Sequence, residues 1–203
     1  MPKRGMEPIR QLQFIEATVE IIHEEGLHGT TMSRVAKRAG TSPGLVAHYF
    51  GDKAGLLQAT FRHLARALGM EFGDHLAGAT GPRERLQAVI DANFAESQSS
   101  PAVVSAWLAF WGQVNHRPEL ARVQRVVTNR LKSNLLFSLR DLVPAEDADR
   151  IASGLAVMID GLWLRAMLNT GGLNVAEARS MARDYLETQL RARTTDMMET
   201  MDA

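Results

Sequence analysis

The chain of 203 residues contains no cysteine. That one absence excludes disulfide scaffolds, thiolate metal sites and cysteine nucleophiles, and it suits a cytosolic protein. Net charge is missing too, because 23 Lys and Arg balance 23 Asp and Glu; no global field draws the whole molecule to a polyanion. Nor is there a long apolar run. The most hydrophobic segment, GLAVMIDGLWLRAML (154–168), carries Asp160 and Arg165 and is shorter than the roughly 20 residues of a spanning helix, so it reads as a buried or interface helix. Catalytic signatures are absent: no P-loop, no GxSxG and no HExxH occurs, and the histidines at 23, 28, 48, 63, 75 and 116 are scattered. His63 and His75 read as helix-surface residues. No enzyme, metal or cofactor is expected. The opening MPKRGMEPIR is polar and charged, so no secretory leader is expected and the chain is expected to be cytoplasmic.

What is present is enough apolar residue, 45% of the chain, to bury a substantial core. Helical periodicity runs through nearly every segment without a strand pattern or an internal repeat, so the fold class is all-α. Ile9, Leu12, Ile15, Val19 and Ile22 form one stripe, closed by Gly26. Thr31 caps a second helix with Met32, Val35, Ala36 and Ala39 on its inner face, and Gly40 stops it. Ser42 and Pro43 start a third, since proline at the first position gives up only an amide without an intrahelical partner. Gly51 ends that helix, and Asp52 caps a fourth over about 52–72. Further helices are expected near 83–98, 102–115, 119–142, 146–169 and 175–192. The glycine-rich GDHLAGATGPRE (73–84) marks a joint. These boundaries give a helix-turn-helix domain over 1–52, a connecting fourth helix, a larger domain over 73–192, and a fraying tail over 193–203.

The second and third helices are separated by a turn of about three residues. That is helix-turn-helix spacing, in which the first helix braces on the DNA backbone and the second enters the major groove. From 31 to 66, Arg34, Lys37, Arg38, Lys53, Arg62 and Arg66 stand against Asp52 alone, a local excess that points to a polyanion at one end. A solvated charged face is the plainer alternative. Pro43, Gly44 and Ala47 keep the entering face slim. Thr31, Thr41, Ser42, Tyr49 and Lys53 are phosphate donors by type, and His48 is the leading candidate for a base or close backbone contact. Lys3, Arg4 and Arg10 add a basic N-terminal arm.

The run GTTMSRVAKRAGTSPGLVAHYFGDKAGLL (29–57) resembles the TetR family of bacterial transcriptional repressors, with Thr31, Gly40, Ser42, Gly44, Tyr49, Phe50 and Lys53 in the family's pattern. Where the family usually carries a phosphate-contacting tyrosine, this chain has Ala47. The resemblance implies a homodimer bound to a palindromic operator and a separate C-terminal ligand domain.

In that second half the tryptophans fall in two short stretches, AWLAFW (106–111) and DGLWLRA (160–166). Trp107 and Trp111 are four apart and share a helix face, with Phe110 between them; Asp160 and Trp163 are three apart on another helix. Indole rings and one carboxylate suit an organic cation, while ordinary core or interface tryptophans are the plainer reading. MPKRGM, HYFGDKAGLL, NFAESQ (93–98), AWLAFW and IDGLWLRA together resemble the family's choline-responsive repressors of glycine-betaine synthesis genes. That implies choline as effector, with Asn93 and Glu96 as further candidates for its hydroxyl or the cage rim. Gly154, Leu155, Met158, Gly161, Leu162, Tyr185, Leu186 and Leu190 on the last two helices are the candidate dimer interface, packing within one chain being the alternative. A regulator of larger, multidrug-type cations and an all-α interaction protein without DNA affinity remain open beside this reading.

Overall fold

A computed structural model describes residues 6–168 and 174–201, with side chains for 7–168 and 174–192. Among the described residues all regular structure is helical, as the periodicity requires. The chain divides into two compact units: the residues through Ala67 together with Ser100–Arg125, and Leu68–Ser99 together with the residues from Val126 onward.

The first unit is built on α1 (Met6–Gly29), α2 (Met32–Arg38) and α3 (Pro43–Phe50), the N-terminal part of α4 (Lys53–Ala77), α7 (Pro101–Val114) and the start of α8 (Pro118–Leu139). Phe14, Ala17, Ile21, Val35, Ala36, Val46 and Leu56 form its core under the three-helix motif. α1 also packs along α7. Being covered on two sides, it buries a broad arc, Phe14, Ile15, Ala17, Thr18, Val19, Ile21 and Ile22, rather than the single stripe expected. Ile9 and Leu12, at the uncovered start of the helix, are 55% and 39% exposed and lie outside that core. Gly26 leaves helical geometry at φ 70° and closes the long helix there, as expected; a further short helical turn runs on to Gly29. α7 was expected to belong with the C-terminal half, yet its Trp107 is buried against Phe110, and Phe110 packs on Phe61 of α4 with ring centroids 4.7 Å apart.

The second unit contains the end of α4, α5 (Pro82–Asn93), α6 (Glu96–Ser99), the rest of α8, α9 (Ala145–Leu168) and α10 (Val175–Met201). α4 continues through the glycine-rich stretch to Ala77, so the joint narrows to residues 78–81. Side chains hold that end of α4: Glu71 accepts a hydrogen bond from Ser97 Oγ at 2.5 Å, and His75 Nδ1 lies 2.9 Å from the Glu71 carbonyl. The helix expected over 83–98 is interrupted at Phe94, with α6 following separately.

α9 buries Ala148, Ile151, Ala152, Leu155, Ile159, Leu162, Trp163 and Ala166, and α10 meets it with Ala178, Ala182, Leu186 and Leu190 at intervals of four. By length and composition α9 is apolar enough to cross a membrane; its buried face is committed to α10 and α5. Tyr185 lies over Gly154 so closely that a Cβ there would collide with its hydroxyl. Two ion pairs fasten α10 to α5, Arg183 to Asp91 at 2.5 Å and Arg83 to Glu187 at 2.8 Å. α10 is helical through Met201, past the expected end at 192; Asp202 and Ala203 of the expected tail, and the side chains from 193 onward, lie outside the described residues.

Candidate nucleic-acid interface and effector-binding helix

The α2–α3 motif is fixed by contacts within a few residues. Thr31, in extended conformation, caps α2 by accepting the Arg34 amide at 3.3 Å. Gly40 turns the chain at φ 63°, a region that favours glycine, and the Thr41 amide then donates to the Ala36 carbonyl at 2.9 Å. Ser42 caps α3 by accepting the Leu45 amide at 3.3 Å, with Pro43 in the first turn. Each cap uses an oxygen lone pair and leaves the hydroxyl proton available to a phosphate.

α3 buries Val46 completely and leaves Ser42, Pro43, Gly44 and His48 exposed, with Thr41, Ala47 and Tyr49 half-buried beside them. The Tyr49 ring leans on Phe14 at 5.7 Å and on His48 at 5.5 Å, which restricts both. The surface is therefore slim and polar at its N-terminal end and aromatic at its C-terminal end. A slim, polar N-terminal end is what a recognition helix needs in order to approach base edges in a major groove.

Lys53, expected as a phosphate donor, also has a partner within the fold. Its ammonium donates to the Leu27 carbonyl at 2.8 Å, tying the start of α4 to the end of α1. Partial burial, then the charge of Arg117, hold its pKa below the usual lysine value. The basic excess also shrinks on folding. Glu25 pairs with Arg34, which also donates to the Gly29 carbonyl at 2.8 Å. Glu24 engages Arg38 with both carboxylate oxygens, one at 2.7 Å. Counting from 31 to 66 missed these acids because they lie on α1. From 6 to 67, seven Lys and Arg stand against six Asp and Glu. The spacing of Glu16, Glu20 and Glu24 by four was the available signal of an acidic face. Lys3 and Arg4 lie outside the described residues, and Arg10 donates to Gln13 at 3.3 Å.

The ligand candidates divide between the units. In the first, Phe110 has no exposed surface, Trp107 is 4% exposed, and Trp111 is half-buried with its ring 6.4 Å from Trp107. Phe110 is thus a core ring stacked on Phe61 rather than a free wall.

In the second unit, Trp163 is buried and Asp160 stands one turn earlier on α9. Asp160 keeps an exposed surface, yet enough protein surrounds its carboxyl that desolvation raises its pKa to about 6. Among the described residues no ion pair or hydrogen bond reaches it, Arg165 included. Asn93 donates to the Val89 carbonyl of its own helix at 2.8 Å, and Glu96 is exposed at the start of α6.

Leu155, Leu162, Leu186 and Leu190, expected at a dimer seam, are 8% exposed or less inside the second unit. α9 and α10 bury them against each other, which is the same i, i+4 pattern a partner copy would require. Gly154 is likewise occupied by Tyr185. Gly161 is exposed, Met158 and Tyr185 are half-buried, and Val157, Leu168 and Met181 stand outward at 74%, 53% and 45% exposure.

Residues 14–60 match the family model "Bacterial regulatory proteins, tetR family", and residues 82–191 match "BetI-type transcriptional repressor, C-terminal". The chain is 48% identical over 196 residues to the HTH-type transcriptional regulator BetI 1 of Chromohalobacter salexigens, covering 96% of each. It is 49% identical to BetI of Burkholderia thailandensis, covering 95% of this chain and 100% of that one. Among solved structures it superposes on a putative transcriptional regulator of Pseudomonas aeruginosa PAO1 with TM-score 0.81 at 26% identity, over 93% of each chain. It shares its fold with a putative regulator of Saccharomonospora viridis crystallised in complex with choline, TM-score 0.80 at 20% identity, over 89% of this chain and 96% of that one. With both halves matched and nearly half of its residues identical to those regulators from end to end, the chain belongs to the TetR family of bacterial regulatory proteins, as a BetI-type transcriptional regulator.

Proposed function

We propose that this chain is a cytoplasmic, homodimeric repressor of genes that convert choline to glycine betaine, released from a palindromic operator by choline. The observation that carries the effector is Asp160. An acid retained on an apolar helix, partly desolvated and without a partner among the described residues, gains from a cation placed beside it. A quaternary ammonium supplies that charge without needing a hydrogen-bond acceptor, and the indole of Trp163, one turn along α9, offers a ring face of complementary sign. The choline in the Saccharomonospora viridis structure and the BetI-type match over 82–191 support the same ligand class. Trp107 and Trp111 are further aromatic candidates on α7.

Two recognition helices read two half-sites about one helical turn of DNA apart. The dimer is assigned to the outward faces of α9 and α10, with Val157, Gly161, Leu168 and Met181. Each aromatic face contributes on the order of 0.5 to 2 kcal/mol to a cation, so a carboxylate and a few rings reach the roughly 4 to 8 kcal/mol of millimolar to micromolar affinity. Shifting a population from about 1:99 to 99:1 takes about 5.5 kcal/mol of differential affinity, which two effector sites share.

A gel shift on the promoter of the neighbouring genes tests this. Binding is expected to be sequence-specific and steeply salt-dependent, and choline is expected to dissolve the complex. A complex that survives choline but yields to bulkier cations would instead assign a multidrug-type effector.

A further inference from the structure

Four side chains join the end of α1 to α2 in two ion pairs, Glu25 with Arg34 and Glu24 with Arg38. Arg34 and Arg38 are four apart and share one face of α2, the helix that lies against the DNA backbone in this motif. We infer that Glu24 and Glu25 act as internal counter-anions that withhold Arg34 and Arg38 from DNA phosphates, and so limit the protein's sequence-independent, salt-sensitive affinity for DNA. The inference needs DNA binding only and is independent of which effector is sensed.

The geometry gives these pairs a purpose beyond stability. All four side chains keep a third or more of their surface exposed, where an ion pair contributes little to folding. Their placement matters more. Affinity for random-sequence DNA comes almost wholly from cations that displace counter-ions from phosphates, whereas operator affinity adds base contacts. Cations left free on α2 would strengthen both by about the same factor, random-sequence binding included. A carboxylate already bonded to each guanidinium occupies its donors and repels an approaching phosphate. The Arg38 hydrogen bond holds the Glu24 carboxyl below its usual pKa, so this pair stays ionised at neutral pH. Lys37, between the two arginines, is exposed and has no ion pair among the described residues. It remains the cation of α2 available to phosphate.

The test measures binding of the full-length protein to a random-sequence duplex by fluorescence anisotropy over a series of salt concentrations. Glu24→Gln/Glu25→Gln frees two cations, and the slope of log affinity against log salt is expected to steepen by about 1.8, roughly 0.9 per phosphate engaged. Non-operator affinity then rises on the order of tens of fold near 0.1 M salt, while the operator-to-random ratio stays about the same. Arg34→Gln/Arg38→Gln is expected to leave the wild-type slope unchanged, because arginines already held by carboxylates release no counter-ions from DNA. A slope flattened by about 1.8 in that second variant would show that the arginines contact phosphate in the wild type and would overturn the inference. An unchanged slope in the folded glutamine variant would overturn it as well. Where a melting curve shows that the glutamine variant does not fold, the arginine variant decides alone.

Discussion

Helices α3 and α9 use their surfaces in opposite ways. α3 gives one residue wholly to the core, Val46, and turns hydroxyls, small residues and an imidazole outward. α9 gives eight residues to its core and keeps one desolvated carboxylate at the margin. On the proposed reading, DNA binding by α3 would sum many solvated contacts, each weak and screened by salt. On the same reading, effector binding on α9 would concentrate in one charge, that of Asp160. A regulator needs both. Operator affinity has to be distributed enough to tune, and the signal has to be localised enough that one small cation changes the balance.

The largest expected effect tests which aromatic residues belong to the core. Phe110→Ala removes a ring with no exposed surface that packs on Phe61, so it is expected to destabilise the protein by about 3 to 5 kcal/mol, visible in chemical denaturation. Were Phe110 instead a ligand wall, stability would hold and only the effector response would change. Next, Asp160→Asn is expected to weaken choline binding by about tenfold or more, about 1.4 kcal/mol, with operator affinity unchanged, as calorimetry and anisotropy would report. Ser42→Ala removes the α3 cap and is expected to cost about 1 kcal/mol, lowering the melting temperature and weakening operator binding while choline affinity stays the same. An equal loss of both affinities would mean that α3 and α9 are not independent.

The smallest effects are in pH. As pH falls through about 6, Asp160 takes up a proton, so choline affinity is expected to drop several-fold between pH 7.5 and 5, roughly in proportion to the ionised fraction. Asp160→Asn should flatten that profile. The stability effect has the opposite sign. A carboxyl whose folded pKa lies above its unfolded value opposes folding at pH above 6, and that opposition disappears as pH falls toward 3.8. Asp160→Asn is therefore expected to raise the melting temperature slightly at pH 7.5, by roughly a degree or two, and the gain should vanish near pH 4.

What could be read from the chain follows from how far each determinant reaches. Thr31, Ser42, Pro43 and Gly51 act on amides and turns within four residues, so the helix-turn-helix was legible almost to the residue. Asp52 was legible for the same reason, and its Oδ1 accepts the Gly55 amide at 2.8 Å. Charge was less legible, because Arg34 and Arg38 are answered by acids of a different helix. The stripe on α1 was right at Ile15, Val19 and Ile22 but too narrow, since periodicity does not reveal that α2 and α7 both cover that helix. Leu155 and Leu186 show the same limit on α9 and α10. An apolar residue at helical spacing looks identical whether it meets its own chain or a second copy. Asp160 stood out in sequence as an acid among apolar residues, but only the fold shows that its carboxyl, though partly exposed, is unpaired among the described residues.

The most direct test is a choline titration of operator-bound protein, wild type beside Asp160→Asn, followed by anisotropy of the labelled operator. Operator affinities are expected to be equal without choline, with the variant needing about tenfold more choline or more for half-release. Equal choline requirements in the two proteins would contradict a localised effector charge on α9.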